Sequence, residues 1–147
     1  MLLRLGIGAG IMTHGYPKLF GGPGKHPPDA IVKLLGENLA AIFERGGIES
    51  LSGALEKMGI PYPRQAALLT GLAEFGGGLT LALGFKTRLA AVPVLIAMLV
   101  AIGKAHWKTG FTGQGGYEMA YLYALAAAVL ILTGSGKYAL DVGGSKQ

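Results

Sequence analysis

The stretch Ala66-Ala67-Leu68-Leu69-Thr70-Gly71-Leu72-Ala73-Glu74-Phe75-Gly76-Gly77-Gly78-Leu79-Thr80-Leu81-Ala82-Leu83-Gly84-Phe85 is apolar or small at every position but one. Wound as a helix at about 1.5 Å per residue, it reaches roughly 30 Å, the thickness of a bilayer's hydrocarbon core. The exception, Glu74, sits near the middle. A charge at that depth costs on the order of 2.5 to 3.5 kcal/mol, so the carboxylate has to be neutralised, paired or turned toward a polar interior. The chain therefore reads as a membrane protein with a buried polar site.

The flanks extend this reading. Only Lys86, Thr87 and Arg88 separate the run from another apolar segment, Leu89 to about His106, so the two helices must return antiparallel. Tyr117 to Thr133 forms a further span, slightly short but extended by Tyr and Lys anchors. Upstream, Leu2 to Phe20 carries Arg4 near its start and no small-residue cleavage pattern after it, and its apolar stretch outruns a signal-peptide core. It reads as a retained helix. Pro93 falls early in its span, where a missing N–H does little damage. The predicted fold class is all-α, a membrane four-helix bundle forming a single transmembrane domain over residues 1–147, with spans at about 2–20, 66–85, 89–106 and 117–133.

Residues 21–63 form the long connection between the first two spans, bounded by turn chemistry at Gly21-Gly22-Pro23-Gly24 and Gly59-Ile60-Pro61-Tyr62-Pro63. Between these, Asp29 to Arg45 places Ile31, Leu34, Leu35, Asn38, Leu39 and Ile42 at helical spacing, and Leu51 to Met58 repeats the pattern. Such segments are too short and polar to span, so short amphipathic helices are expected to lie at the interface or cap the bundle. The small-residue pair Gly6 and Gly10, and the row Gly76, Thr80 and Gly84, predict close helix packing.

Composition fits the class. The chain is 51% hydrophobic and 14% charged, with a mean hydropathy of +0.47, against about 25% charged for soluble domains. A net charge of +5 would suit nucleic acid only if the basic residues formed a stripe, and they are scattered between apolar spans. No nucleic-acid partner is expected; the lipid bilayer is. The absence of cysteine excludes a disulfide framework, a thiol nucleophile, a Cys-held Fe–S cluster and dithiol exchange. The termini and the Lys86–Arg88 turn share one side, which the two charges of that short turn assign to the cytoplasm, with Arg4, Lys137 and Lys146 as further anchors.

Polar residues gather toward the opposite side. Counting inward by helical rise, Lys18 sits at the boundary, His14 about 9 Å deep and Glu74 about 12 Å deep. His106 ends the third span and Tyr117-Glu118 begins the fourth on the same side. His14 and Lys18, four residues apart, occupy the row best placed to face the second span, so pairing with Glu74 is expected. Carboxylate and imidazole can exchange protons with a quinone or other small redox molecule, which makes His14, Lys18, Glu74 and Glu118 the candidate catalytic residues. His106 and Tyr117 join them as candidates for binding the cofactor. Two His and two carboxylates could also ligate a metal, but no local motif such as His-Glu-x-x-His is present. Haem held by His14 and His106 is a weaker alternative, with both residues toward one edge and no attachment motif.

Several motifs carry a resemblance: His14-Gly15-Tyr16-Pro17-Lys18-Leu19-Phe20-Gly21, Gly59-Ile60-Pro61, Glu74-Phe75-Gly76-Gly77, Thr87-Arg88-Leu89-Ala90-Ala91, Gly115-Gly116-Tyr117-Glu118 and Gly136-Lys137-Tyr138-Ala139-Leu140-Asp141. In that order the chain resembles the DoxX family of small four-helix membrane proteins. The resemblance implies a prokaryotic cell membrane and a link to quinone-reducing thiosulfate oxidation or redox stress. Lys25 to Gly47 exceeds the equivalent loop of many relatives and reads as an added cap or docking surface. The leading expectation is an integral membrane component of a quinone-linked oxidoreductase system. The alternative is a non-catalytic accessory subunit of a larger membrane complex, in which Glu74 and Lys18 fix helix register. Homo-oligomers or other membrane subunits are the expected partners.

Overall fold

Helix formation around Glu74 begins at Pro63, ahead of the apolar run, because proline's fixed φ suits a helix's first turn and its missing N–H costs nothing there. The preceding Tyr62 is left-handed at φ 52°. The same helix stops at Gly84, φ 69°. Its end is satisfied by two reverse bonds, Gly84 N–H to Leu81 O at 3.1 Å and Phe85 N–H to Thr80 O at 3.0 Å, the pairing of a Schellman cap. That cap, followed by left-handed Lys86, makes the tight return to the next helix.

The computed structural model describes residues 1–140. Asp141, the last residue of the Gly136–Asp141 motif, and the anchor Lys146 lie outside the described residues. Among the described residues seven α-helices follow one another: α1 (Leu2–Phe20), α2 (Asp29–Leu35), α3 (Asn38–Arg45), α4 (Ile48–Lys57), α5 (Pro63–Leu83), α6 (Thr87–Val100) and α7 (Glu118–Thr133). A π-helical turn, Ala101–His106, and a short 3-10 turn, Trp107–Thr109, prolong α6. There is no strand among the described residues. Helix α1 packs along α5, α5 on α6, α6 on α7, and α7 touches α1 again. Ile11, Leu81, Ala91, Val94, Met98, Ala124, Ala127 and Leu130 form the buried apolar core between them.

Among the described residues two stretches, Pro63–Leu83 and Thr87–Thr109, are long and apolar enough to cross a membrane, and Glu118–Thr133 is apolar but shorter; α1, expected as a span, is not among them. Their outer faces leave Leu68, Leu69, Leu72, Leu89, Ile96, Leu99, Leu122, Leu125 and Leu132 exposed. Such a continuous apolar exterior is what a lipid-facing helix presents.

The closest approach is between α1 and α5. A methyl group on Gly8 would sit 2.6 Å from the Gly78 carbonyl oxygen, and one on Gly15 would sit 2.8 Å from Phe75 Cα. The buried stripe of α5 is Ala67, Gly71, Glu74, Gly77, Gly78 and Leu81. The glycine rows expected to make this seam differ: Gly6 and Gly76 have nothing within 4 Å of an added methyl, and Gly10 faces the Tyr123 ring on α7. The seam follows Gly8, Ile11 and Gly15, an alternating three-four spacing that keeps step with a 3.6-residue turn.

The long connection folds into a cap. The Asp29–Arg45 segment, expected as one helical pattern, breaks at Gly36, whose φ of 96° no helix accommodates. Helix α3 buries Leu39 and Phe43, α4 buries Leu55, and α2 buries nothing. Backbone bonds tie the cap to the end of α1: Gly47 N–H donates to Pro17 O at 2.9 Å and Gly22 N–H to Phe43 O at 2.9 Å. Tyr16 and Phe43 pack with ring centroids 5.1 Å apart, and Phe20 meets Phe75 edge-on at 5.2 Å. At the opposite end Arg4 is not a surface anchor. It is 3% exposed and donates to Ser135 O at 2.8 Å and Tyr138 O at 2.7 Å, holding the segment after α7 against α1.

The seam makes a specific demand on glycine. Gly15→Ala is expected to lower thermal stability in detergent by about 1–3 kcal/mol through overpacking, whereas Gly76→Ala, facing open space, should be neutral or stabilising by up to about 1 kcal/mol. Equal effects at the two positions would place the α1–α5 contact elsewhere.

Candidate functional site

Glu74 lies on the α5 stripe that faces α1, and it is buried with its side chain 3% exposed. Gly15 lets the α1 backbone approach the Glu74–Phe75 backbone directly. Lys18 comes three residues later on α1, about 4.5 Å further along the axis, and its flexible stem reaches back to the carboxylate. Lys18 Nζ donates to both Glu74 carboxylate oxygens at 2.5 Å. The lysine side chain remains 31% exposed, so the pair spans from a partly open surface to a buried carboxylate. Charge-assisted bonds of this kind are roughly twice as strong as neutral ones. Removing one partner of a buried pair costs far more than the pair contributes, since the other charge stays stranded.

This pair borders a cavity of about 350 Å³ between α1, α5, α6 and α7. His14, His106 and Tyr123 add polar atoms to its wall, while Ile11, Met98, Ala101, Met119 and Ala120 supply apolar surface. His14 meets the Tyr123 ring edge-on, centroids 5.8 Å apart. His106 reaches the cavity from the π-helical turn, a local widening that often marks functional positions. Its Nδ1 is 2.8 Å from Gly115 O. Because a carbonyl only accepts, Nδ1 carries the proton in this contact.

A second, larger cleft of about 630 Å³ lies between α1 and the cap, and His14 and Lys18 line it as well. The two hollows therefore meet at the same two side chains.

The remaining sequence candidates sit at this end without lining the cavity. Tyr117 stacks on Trp107 at 5.6 Å and takes the Phe111 ring edge-on at 5.2 Å, which closes the loop between α6 and α7. Glu118 is exposed in the first turn of α7, where the helix dipole favours a negative charge. Tyr123 was not among the candidates. Its signal was a phenol inside an apolar helix, a residue that needs a polar neighbour when buried. Among the described residues no group of three or more His, Asp or Glu is placed to hold a metal ion.

A model of the DoxX family matches residues 1–107, from α1 through the π-helical turn. The chain belongs to the DoxX family. It is 32% identical to the uncharacterized membrane protein Rv3486 of Mycobacterium tuberculosis, over 90% of each chain. No solved structure matches it. The family match includes His14, Lys18, Glu74 and His106, so four of the polar residues at the cavity belong to the matched region, while α7 lies beyond it. This DoxX-family protein is a membrane protein.

The ion pair can be tested by charge exchange. Lys18→Glu is expected to cost about 3–5 kcal/mol of stability in detergent by placing two carboxylates together, and adding Glu74→Lys should recover a large part. Strict additivity of the two substitutions in thermal unfolding would disprove the contact. The exposed Arg64–Glu49 pair, 3.1 Å apart, serves as the control, with Glu49→Gln expected to change stability by less than about 1 kcal/mol.

Proposed function

We propose that the protein is a membrane-embedded four-helix bundle of α1, α5, prolonged α6 and α7, with its termini in the cytoplasm, that binds the polar head of a quinone as a component of a quinone-linked oxidoreductase system. The observation that carries this reading is the Lys18–Glu74 pair, its carboxylate buried, opening onto a cavity of about 350 Å³ that is otherwise largely apolar. That volume lies at the lower end of the range for small-molecule sites, and the combination of apolar wall with a few fixed polar groups is the usual one.

Reduction of a quinone takes two electrons and two protons. The chain lacks the cysteines that would hold an Fe–S cluster, so electrons are assigned to partner membrane subunits and proton handling to this chain. Lys18 faces the cavity with a fixed positive charge that stabilises negative charge developing on a ring oxygen. Glu74 is the proton-carrying group, held dry beside that charge. His14, placed where cavity and cleft meet, relays the proton outward, and His106 presents Nε2 as an acceptor. Glu118 stands at the surface of α7 and is given no part in the transfer.

One observation favours a second reading. Both Glu74 oxygens are already engaged by Lys18, which is what a purely structural pair fixing the register of α1 against α5 would show. The protein would then be an accessory subunit of a larger membrane complex.

Binding separates the two. Purified protein is expected to bind a quinone analogue, and Glu74→Gln or His14→Ala should weaken it by at least about tenfold, or 1.4 kcal/mol. Stability losses in Glu74→Gln without measurable binding by the unsubstituted protein would favour the accessory subunit.

A further inference from the structure

The cleft beneath the cap is larger than the cavity, yet nothing in the head-group reading uses it. Its wall is built from Leu35, Leu39, Ile42, Leu51 and Ala54. Leu35 and Ile42 are 42% and 53% exposed, bulky side chains that line a hollow. Some of its polar members bond within the chain: Ser50 Oγ donates to Arg45 O at 2.7 Å, and Arg45 Nε donates to Ala41 O at 3.1 Å, while Asn38 and Arg45 are exposed residues of the lining. The charge of Lys18 is met by Glu74. The five apolar side chains of this wall ask for apolar surface.

The cleft is also tied to the cavity. His14 and Lys18 line both, and the roof is fixed to α1 immediately beside them by the Gly47 N–H bond to Pro17 O. The two hollows thus lie on either side of one turn of α1, and the second is nearly twice the size of the first.

We infer that cavity and cleft are two chambers of one bipartite site, and that the cleft holds the long alkyl or prenyl tail of the molecule whose head lies against Lys18, Glu74 and His14. The inference rests on the head-group reading above and narrows it to a lipid-soluble, tailed quinone, setting aside short water-soluble ones. It also gives the cap a role, since α2 buries no residue of its own and α2 and α3 supply Leu35, Leu39 and Ile42 to the tail.

The test compares a tailless benzoquinone with the same ring bearing a decyl chain, each titrated against the full-length protein and its Leu35→Ser/Ile42→Ser double variant in one detergent. Both positions are exposed, so the variant should keep its thermal stability, and partition of the probe into micelles is common to both proteins. Each buried methylene is worth a substantial fraction of a decade in affinity, so the variant should bind the decyl compound about tenfold more weakly while the tailless ring is unaffected. Unchanged decyl binding in the variant would overturn the inference and leave the head site standing. Equal losses for both compounds would overturn it too, because the substitutions would then be acting on the head. Failure of the unsubstituted protein to bind either compound would sink the head-group reading and this inference together.

Discussion

A carboxylate buried at the middle of an apolar helix has to be neutralised where it stands, and the structure around Glu74 is organised by that demand. Its partner comes from a different helix. Lys18 can reach Glu74 only because α1 and α5 approach to backbone contact, and they do so only where Gly8, Gly15 and Gly78 remove the side chains between them. Small residues at that seam, the ion pair at its end and the burial of Glu74 are thus one constraint expressed three times. In lipid, where apolar side chains gain nothing by leaving solvent, such packing and pairing carry much of the association.

The pair also fixes what lies on either side. Toward α6 and α7 it borders a cavity whose polar atoms are few and oriented, with His106 held by Gly115 and His14 against Tyr123. Toward the cap it borders a cleft whose roof is pinned to Pro17. Lys18, partly exposed, and Glu74, buried, stand at the junction of the two.

Much of this was legible in the residues. The limits of α1 coincide with the apolar segment Leu2 to Phe20, and the pairing of Glu74 with Lys18 followed from depth and helical spacing. Other features were not. Pro63 reads as turn chemistry and instead opens α5, because a first-turn proline and a loop proline look alike without the neighbouring backbone. The cap pattern continues in sequence through Gly36, but the chain does not. Choosing among glycine rows needs the partner helix, since several rows of small residues run along each of α1 and α5. Depth fixes the layer a residue occupies and leaves its direction round the helix open, which is why Tyr117 and Glu118 share an end of the molecule with the cavity without lining it, while Tyr123, deeper in α7, does.

The most direct measurement of the central claim is a nitrogen-to-carbon distance across the pair in a lipid bilayer, by solid-state magnetic resonance on protein carrying labelled lysine Nζ and glutamate Cδ, with Lys18→Met identifying the signal. The account predicts strong dipolar dephasing from a separation of about 3–4 Å, as for a hydrogen-bonded ion pair, lost completely in Lys18→Met. Dephasing that persists in Lys18→Met, or none at all in the unsubstituted protein, would mean that Glu74 is neutralised by some other means and that the seam, cavity and cleft are not organised around this pair.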